Sequence, residues 1–118
     1  MIRCDLLINV PCVGTHSTTR LTCALKNLFG LLSEKRKHST YHPLGMDEVI
    51  ADIAKVVKTD LNVVDAGSKI ILGLELLTVD IVASKLIQIN PLNVKHLWLV
   101  SEDRGQKLES VINELRVI

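Results

Sequence analysis

The sequence contains few aromatic residues, little net charge and no closely spaced cysteines. Aromatics make up 3% of the 118 residues, so a core built from a 47% hydrophobic content must be aliphatic. A formal net charge of +1 excludes the cationic excess that is typical of nucleic-acid-binding domains. The three cysteines form no C-x-x-C pair. An odd number of unpaired cysteines indicates reduced thiols in a cytoplasmic protein, and it argues against a cysteine-built zinc or iron–sulfur site.

Long uncharged apolar runs are also missing. The most apolar stretch, residues 70–89, is interrupted by Glu75, Asp80 and Lys85, whereas a membrane span needs roughly 20 nearly uncharged residues. Arg3 and Asp5 precede only a short apolar run, which does not resemble a signal peptide. We therefore expect a soluble, cytoplasmic protein without a membrane segment, folded as one domain over residues 1–118.

The hydrophobic periodicity predicts an α/β fold. Strands are predicted at residues 5–10, 61–65 and 69–74. Helices are predicted at residues 20–32, 47–58, 78–89, from the Asn90-Pro91 pair onward, and at 107–116. A helical connection favours parallel pairing of the first two strands, and the short turn at residues 66–68 favours antiparallel pairing of the third. The prediction is a small mixed or mostly parallel three-stranded sheet packed with about five helices.

Polar residues after the first two strands are candidates for a site, because ligands of open α/β sheets bind beyond the carboxyl ends of the strands. Residues 15–19 (THSTT) are predicted to form a loop leading into a helix, where free backbone N–H groups suit an anion. His16 there is a candidate metal ligand or acid–base group, or alternatively a residue that orders the loop. Asp65 ends the second strand and is either a site residue or a turn-forming residue before Gly67.

A second polar segment, residues 33–43 (SEKRKHSTYHP), contains three basic residues and two histidines. His38 and His42 are four residues apart, which suits a metal site on a helix, but the composition favours a loop. The basic residues 35–37 are either a solvated loop or a phosphate clamp. Asp80 is predicted to lie in the first turn of its helix, where the helix dipole stabilises an acid. His96 is predicted to be exposed.

Taken together, these residues resemble a prokaryotic family known as domain of unknown function 362. The run INVPCVGTHSTTRLTCALKNLFG at residues 8–30 resembles the family pattern "INVP-x-x-KTHs-x-t-x-x-T-x-x-LKNlfG", and LKNLFG is its most specific part. The likeness continues through the basic loop, through ADIA at residues 51–54 and DLNVVDA at 60–66, and through residues 78–105.

The resemblance implies a set of polar motif positions. They are Thr15, His16, Lys26, Asn27, His42, Asp65 and Asp80. Many family members carry ferredoxin-type cysteine modules beside this domain, and nothing equivalent is present here, so no iron–sulfur cluster is expected within this chain. Two departures matter: Gly14 replaces the expected lysine, and the glycine-rich stretch after VVD is shortened to residues 66–68. The chain resembles the C-terminal portion of the full family domain, as a shortened member, a fragment or a subunit completed by another chain.

Two functional hypotheses follow. In the first, the chain is a ligand- or metal-binding domain of a redox-associated family, with His16, Lys26 and Asp65 as catalytic candidates. His16 and His42 would then bind a metal ion, while Lys26 and Asn27 would orient a small anionic ligand. In the second, it is a non-catalytic interaction module or degenerate paralogue that needs a partner chain, either a copy of itself or a ferredoxin-like protein. A nucleic-acid role rests on the basic loop alone.

Overall fold

The computed structural model of the chain describes residues 5–31 and 45–115. The predicted basic loop, including His38 and His42, lies outside the described residues. The strands are β1 (Ile8–Asn9), β2 (Gly14–His16), β3 (Arg20–Thr22), β4 (Leu61–Asp65) and β5 (Ile70–Gly73). The helices are α1 (Ala24–Asn27), α2 (Met46–Val56), α3 (Leu76–Leu86), α4 (Lys95–Asp103) and α5 (Leu108–Glu114), with 3₁₀ turns at Leu28–Leu31 and Pro91–Asn93.

The main sheet has the strand order β1-β4-β5. β1 pairs with β4 in parallel, with Ile8 opposite Leu61, and β4 pairs with β5 antiparallel, with Val63 opposite Leu72. The turn between β4 and β5 is closed by a hydrogen bond from the Ala66 amide to the Lys69 carbonyl. Gly67 adopts φ 80° there, a conformation that favours glycine. The described residues therefore confirm a mixed three-stranded sheet packed with five α-helices.

The segment between β1 and α1 differs from the prediction. Residues 14–22 form a β-hairpin, in which β2 and β3 pair antiparallel, with His16 opposite Arg20. The predicted helix start at Arg20 was wrong, because Arg20 has φ 66° and lies outside the helical region. The helix begins at Ala24 and changes to a 3₁₀ turn after Asn27. Residues 17–19, predicted to belong to a loop leading into a helix, form the turn of this hairpin instead.

One face of the main sheet, here called the inner face, packs on the helices. Asn9, Asn62 and Val64 point to this side and are buried. The core behind them is aliphatic, as predicted. Its largest fully buried hydrophobic side chains are Leu21, Leu25, Ile50, Leu77, Ile81, Leu97 and Leu108.

Gly73, on the inner face of β5, allows the sheet to approach α3 closely. A Cβ atom added at this position would overlap Cγ2 of Val79 in α3. Valine has little rotational freedom in a helix, so the clash cannot be relieved by a simple rotation. The close approach of β5 to α3 therefore requires glycine at position 73.

We expect Gly73→Ala to lower the free energy of unfolding by about 1 to 3 kcal/mol, because the strand must move away from α3. Urea denaturation followed by circular dichroism measures this change. Gly30→Ala is the matched control, since an added Cβ there has no neighbour within 4 Å. Equal stability of the two variants would show that β5 and α3 are not packed as described.

Candidate functional site

Asp65, the predicted site residue at the end of β4, begins the turn that leads to β5. Oδ1 of Asp65 accepts a hydrogen bond from the Gly67 amide at 3.0 Å, which is the turn-forming role considered for this residue. Oδ2 of Asp65 lies 3.9 Å from Sγ of Cys12, which forms an isolated parallel bridge with Asp65. The carboxylate is exposed. Asp65 thus connects the chain beyond β1 to the end of β4.

Thr15 and His16 lie on the hairpin strand β2. Nδ1 of the half-buried His16 ring accepts hydrogen bonds from the amides of Thr18 and Thr19, at 3.1 and 3.3 Å. These are two of the N–H groups that the sequence assigned to an anion. No hydrogen bond or ion pair joins His16 to Asp65 in the structure, and His42 lies outside the described residues. The proposed pairing of the two histidines stays a prediction.

Asn27, next to the half-buried Lys26 on α1, belongs to a network of amide side chains. Nδ2 of Asn27 donates to Oδ1 of Asn9 at 2.5 Å. Nδ2 of Asn9 donates in turn to the Ala24 carbonyl at 2.9 Å and to Oδ1 of Asn62 at 3.2 Å. Asn62 also donates to the Gly73 carbonyl at 3.2 Å. The network joins α1 to all three strands of the main sheet.

Asn9 and Asn62 were not predicted, although each interrupts an apolar strand sequence (INV and LNV). An amide in such a position must find partners on burial, because an unpaired buried polar group is costly. The rule predicts that both amides are hydrogen-bonded, but it does not predict to which groups.

Asp80 is a fully buried acid. α3 begins at Leu76, so Asp80 lies beyond the first turn and the expected dipole stabilisation within its own helix was wrong. Its Oδ1 instead accepts from the Ala24 amide at 2.8 Å, and its Oδ2 accepts from the Leu25 amide at 3.1 Å. Helix N-termini attract anions. Here the chain supplies that anion itself, from α3 to the start of α1.

The surroundings of Asp80 determine its protonation. Burial raises the pKa of Asp80 from its ordinary value of 3.8 to about 6, against the opposing effects of the Leu25 amide, the Cys23 thiol, the charge of His96 and the Ala24 amide. Burial, and next the negative charge of Asp80, raise the pKa of the Cys23 thiol. Cys23 is therefore a protonated donor to Asp80 at neutral pH, and not a nucleophile.

His96, expected to be exposed, is fully buried. Its Nδ1 lies 2.9 Å from Oδ1 of Asp47 in the first turn of α2, so the pair connects α4 to α2. Its Nε2 has no hydrogen-bond partner among the described residues. His96 lies four residues before Val100 on α4. This spacing indicates that the two side chains lie on the same, buried side of the helix.

A surface cleft lies at the other end of the sheet. It measures about 480 Å³ and borders Thr59, ahead of β4, and Leu74, after β5. Four of its charged groups form two pairs: Arg104 contacts Glu75, and Lys55 lies 3.7 Å from Asp103. None of the predicted site residues in residues 5–31 and 45–115 lines this cleft. Over the same residues, no group of three or more His, Cys, Asp or Glu side chains is placed to hold a metal ion.

The face of the main sheet opposite the core is apolar and uncovered by the described residues. We call it the outer face, and it comprises Leu6, Ile8, Val10, Leu61, Val63, Ile70, Leu72 and Leu74. Leu72, opposite Val63 near its centre, is 67% exposed, and Ile70 is 71% exposed. Monomeric proteins rarely expose contiguous apolar patches of more than a few hundred Å², so this face is the least expected surface feature of the fold.

Because the pKa of Asp80 is raised, the contribution of this residue to the free energy of unfolding falls as the pH rises, which is the reverse of the usual effect of a carboxylate. The folded-state pKa of about 6 lies above the ordinary 3.8, so between these values the folded chain holds a proton that the unfolded chain has lost. The contribution of Asp80 to stability is therefore fully present below about pH 4 and is lost as the pH rises through 6.

In Asp80→Asn this contribution disappears. We expect the unfolding free energy of the wild type, relative to the variant, to fall by about 3 kcal/mol as the pH rises from 3.5 to 7. Denaturant titrations at several pH values measure this difference. Glu48→Gln is a control of opposite sign, because the hydrogen bond from Lys95 lowers the pKa of Glu48. A difference for Asp80→Asn that does not vary with pH would contradict a pKa of Asp80 raised by burial.

Comparisons with known proteins agree with the likeness in the sequence. A family model described as domain of unknown function (DUF362) matches residues 1–71. The thylakoid-associated protein sll1697 of Synechocystis sp. is 32% identical over 66 residues, which cover 52% of this chain and 21% of the relative. The chain thus spans about a fifth of that relative's length. No solved structure matches the chain.

None of the helices in the described part of the chain has the length and apolarity that a membrane crossing requires. The family match covers more than half of the 118 residues. The chain therefore belongs to the DUF362 family.

Proposed function

We propose that this chain is an assembly module, which acts by binding another protein layer on its outer face and has no chemistry of its own. The observation that carries this proposal is the uncovered apolar side of the β1-β4-β5 sheet. In α/β folds a sheet is normally covered on both faces, because its strands expose apolar side chains on each. Within residues 5–31 and 45–115 the helices cover the inner face alone, so the outer face is open to a second layer.

Four of the polar residues that were candidates for a site are already hydrogen-bonded within the chain, which also supports this function. Asp80 is occupied by the two amides that begin α1, and Asn27 is bound to Asn9. His16 accepts from its own turn, and Asp65 accepts from Gly67. Each interaction stabilises the local fold. The ligand- and metal-binding roles of Thr15, His16, Lys26, Asn27, His42, Asp65 and Asp80 stay predictions of the sequence.

Leu72→Lys tests the proposal, because it places a charge at the centre of the outer face. We expect the purified wild type either to associate or to bind an apolar fluorescent dye through this face, and Leu72→Lys to abolish both properties. Since Leu72 is 67% exposed, the substitution should change folding stability by no more than about 0.5 kcal/mol. Sedimentation velocity, dye fluorescence and thermal unfolding measure the three quantities.

Val56→Lys is the matched control, since Val56 is 80% exposed but lies on α2, away from the sheet. It should behave as the wild type. A wild-type monomer of 13.1 kDa that binds no more dye than Leu72→Lys would refute the assembly function.

A further inference from the structure

The cleft that borders Thr59 and Leu74 has a size suited to a small molecule. Its volume of about 480 Å³ lies within the range of about 300 to 1,000 Å³ that is typical of ligand sites. It is enclosed by the carboxyl-terminal half of α2, the residues that precede β4, the start of α3 and the end of α4. Of its described lining residues, only Leu74 also belongs to the outer face, so the cleft is a separate surface of the molecule.

The floor of the cleft is aliphatic and includes two alanines. Ala51 and Ala54, from the ADIA run of α2, are three residues apart and therefore lie on one side of the helix. Leu76 of α3 and Val100 of α4 complete the floor, and all four residues are 9% exposed or less. The methyl groups of the alanines leave room that longer side chains would fill. This floor suits the hydrocarbon part of a ligand better than an inorganic ion.

The rim of the cleft carries an excess of positive charge. It holds three basic residues, Lys55, Lys58 and Arg104, and two acids, Glu75 and Asp103. Arg104 contacts Glu75, and Lys55 lies 3.7 Å from Asp103, so each acid has a cationic partner. Lys58 forms no ion pair within residues 5–31 and 45–115. The charge without a counter-charge at this rim is therefore the ammonium of Lys58.

A ligand must match both the floor and the rim. A cationic ligand would have to displace Lys55 or Arg104 from its acid, whereas an anionic group can pair with Lys58 without breaking an existing interaction. One ammonium balances one negative charge, which favours a carboxylate over a phosphate dianion. We propose that the cleft binds a small aliphatic carboxylate, whose hydrocarbon chain lies on the alanine floor and whose carboxylate pairs with Lys58. This site goes beyond the assembly function and does not depend on it.

Titration of the full-length chain with sodium hexanoate, followed through the NMR chemical shifts of the backbone amides, tests this proposal. We expect saturable shifts at Ala51, Ala54 and Val100, with a Kd on the order of 1 mM, as suits a ligand of about eight non-hydrogen atoms in a surface cleft. Hexan-1-ol has the same chain length without the charge. It should bind about fivefold more weakly, because it cannot form the ion pair with Lys58.

Variants separate the roles of the rim and the floor. Lys58→Gln should raise the Kd for hexanoate about fivefold and leave hexanol binding unchanged. Ala54→Leu should abolish the binding of both, because the added atoms occupy the floor. Lys58 is exposed, so Lys58→Gln tests the site even where Ala54→Leu destabilises the fold. Lys85→Gln is the matched control, since Lys85 is also an exposed lysine at the end of a helix but does not line the cleft.

Three results would overturn the proposal. The first is a set of shifts that does not saturate up to about 20 mM hexanoate, well above the expected Kd. The second is equal affinity for hexanol and hexanoate with no effect of Lys58→Gln, which would show that the ammonium takes no part. The third is loss of hexanoate binding in Leu72→Lys, which would place the ligand on the outer face. Each of these results would leave the assembly function untouched, since that function is measured through the outer face alone.

Discussion

The constraint on which this fold depends is that a three-stranded sheet has two faces, and the described helices cover one. The inner face of β1, β4 and β5 packs on the aliphatic core through Val64 and close to α3 at Gly73. The amides of Asn9 and Asn62 lie on the same side and connect the strands to α1. These interactions fix the position of the sheet, and they leave the apolar side chains of the outer face in contact with solvent.

The residues that appeared most suited to chemistry contribute to this framework. Asp80 is a buried carboxylate that accepts two amides at the start of a helix only four residues long. Isolated helices of that length do not form in water, so α1 depends on tertiary contacts. A charge-assisted pair of hydrogen bonds is among the stronger contacts available. The family motif LKNLFG thus begins at a helix that is fixed by Asp80 at one end and by Asn27 and Asn9 at the other.

The sequence predicted the region from β4 onward well, because its signals there are local. The run LNVVD is a strand between Asp60 and the AGS turn, and the short turn required the antiparallel partner that is observed. Asn90 caps a 3₁₀ turn that begins at Pro91, where a helix was predicted to begin, and the α-helix itself begins at Lys95. The N-terminal third was predicted less well, because its helix start depends on a distant residue and its hairpin on a backbone conformation that the sequence does not signal. The Ala24 amide at the helix start binds an acid 56 residues away, and the hairpin contains the left-handed Arg20.

The candidate site, like the fold, depends on contacts between residues that are distant in the sequence. At the ends of β1 and β4, Asp65 meets Cys12, which was not among the predicted site residues. The hydrogen-bond partners of the predicted residues could not be read from spacing, since His16 and Asp80 bind backbone amides, which every residue except proline offers. The burial of His96 was also hidden, because its partner Asp47 lies on another helix.

The accessibility of the outer face in solution tests the central claim most directly. In a chain with Cys4→Ser and Cys12→Ser, which retains the buried Cys23, a single reactive cysteine can be placed by Leu72→Cys or by Val56→Cys. Both positions are exposed in the isolated chain, so a thiol reagent should modify them at similar rates if nothing covers the sheet. A covered outer face predicts modification at position 72 about tenfold slower than at position 56, with the difference lost on dilution as the complex dissociates. Equal rates at every protein concentration would contradict it.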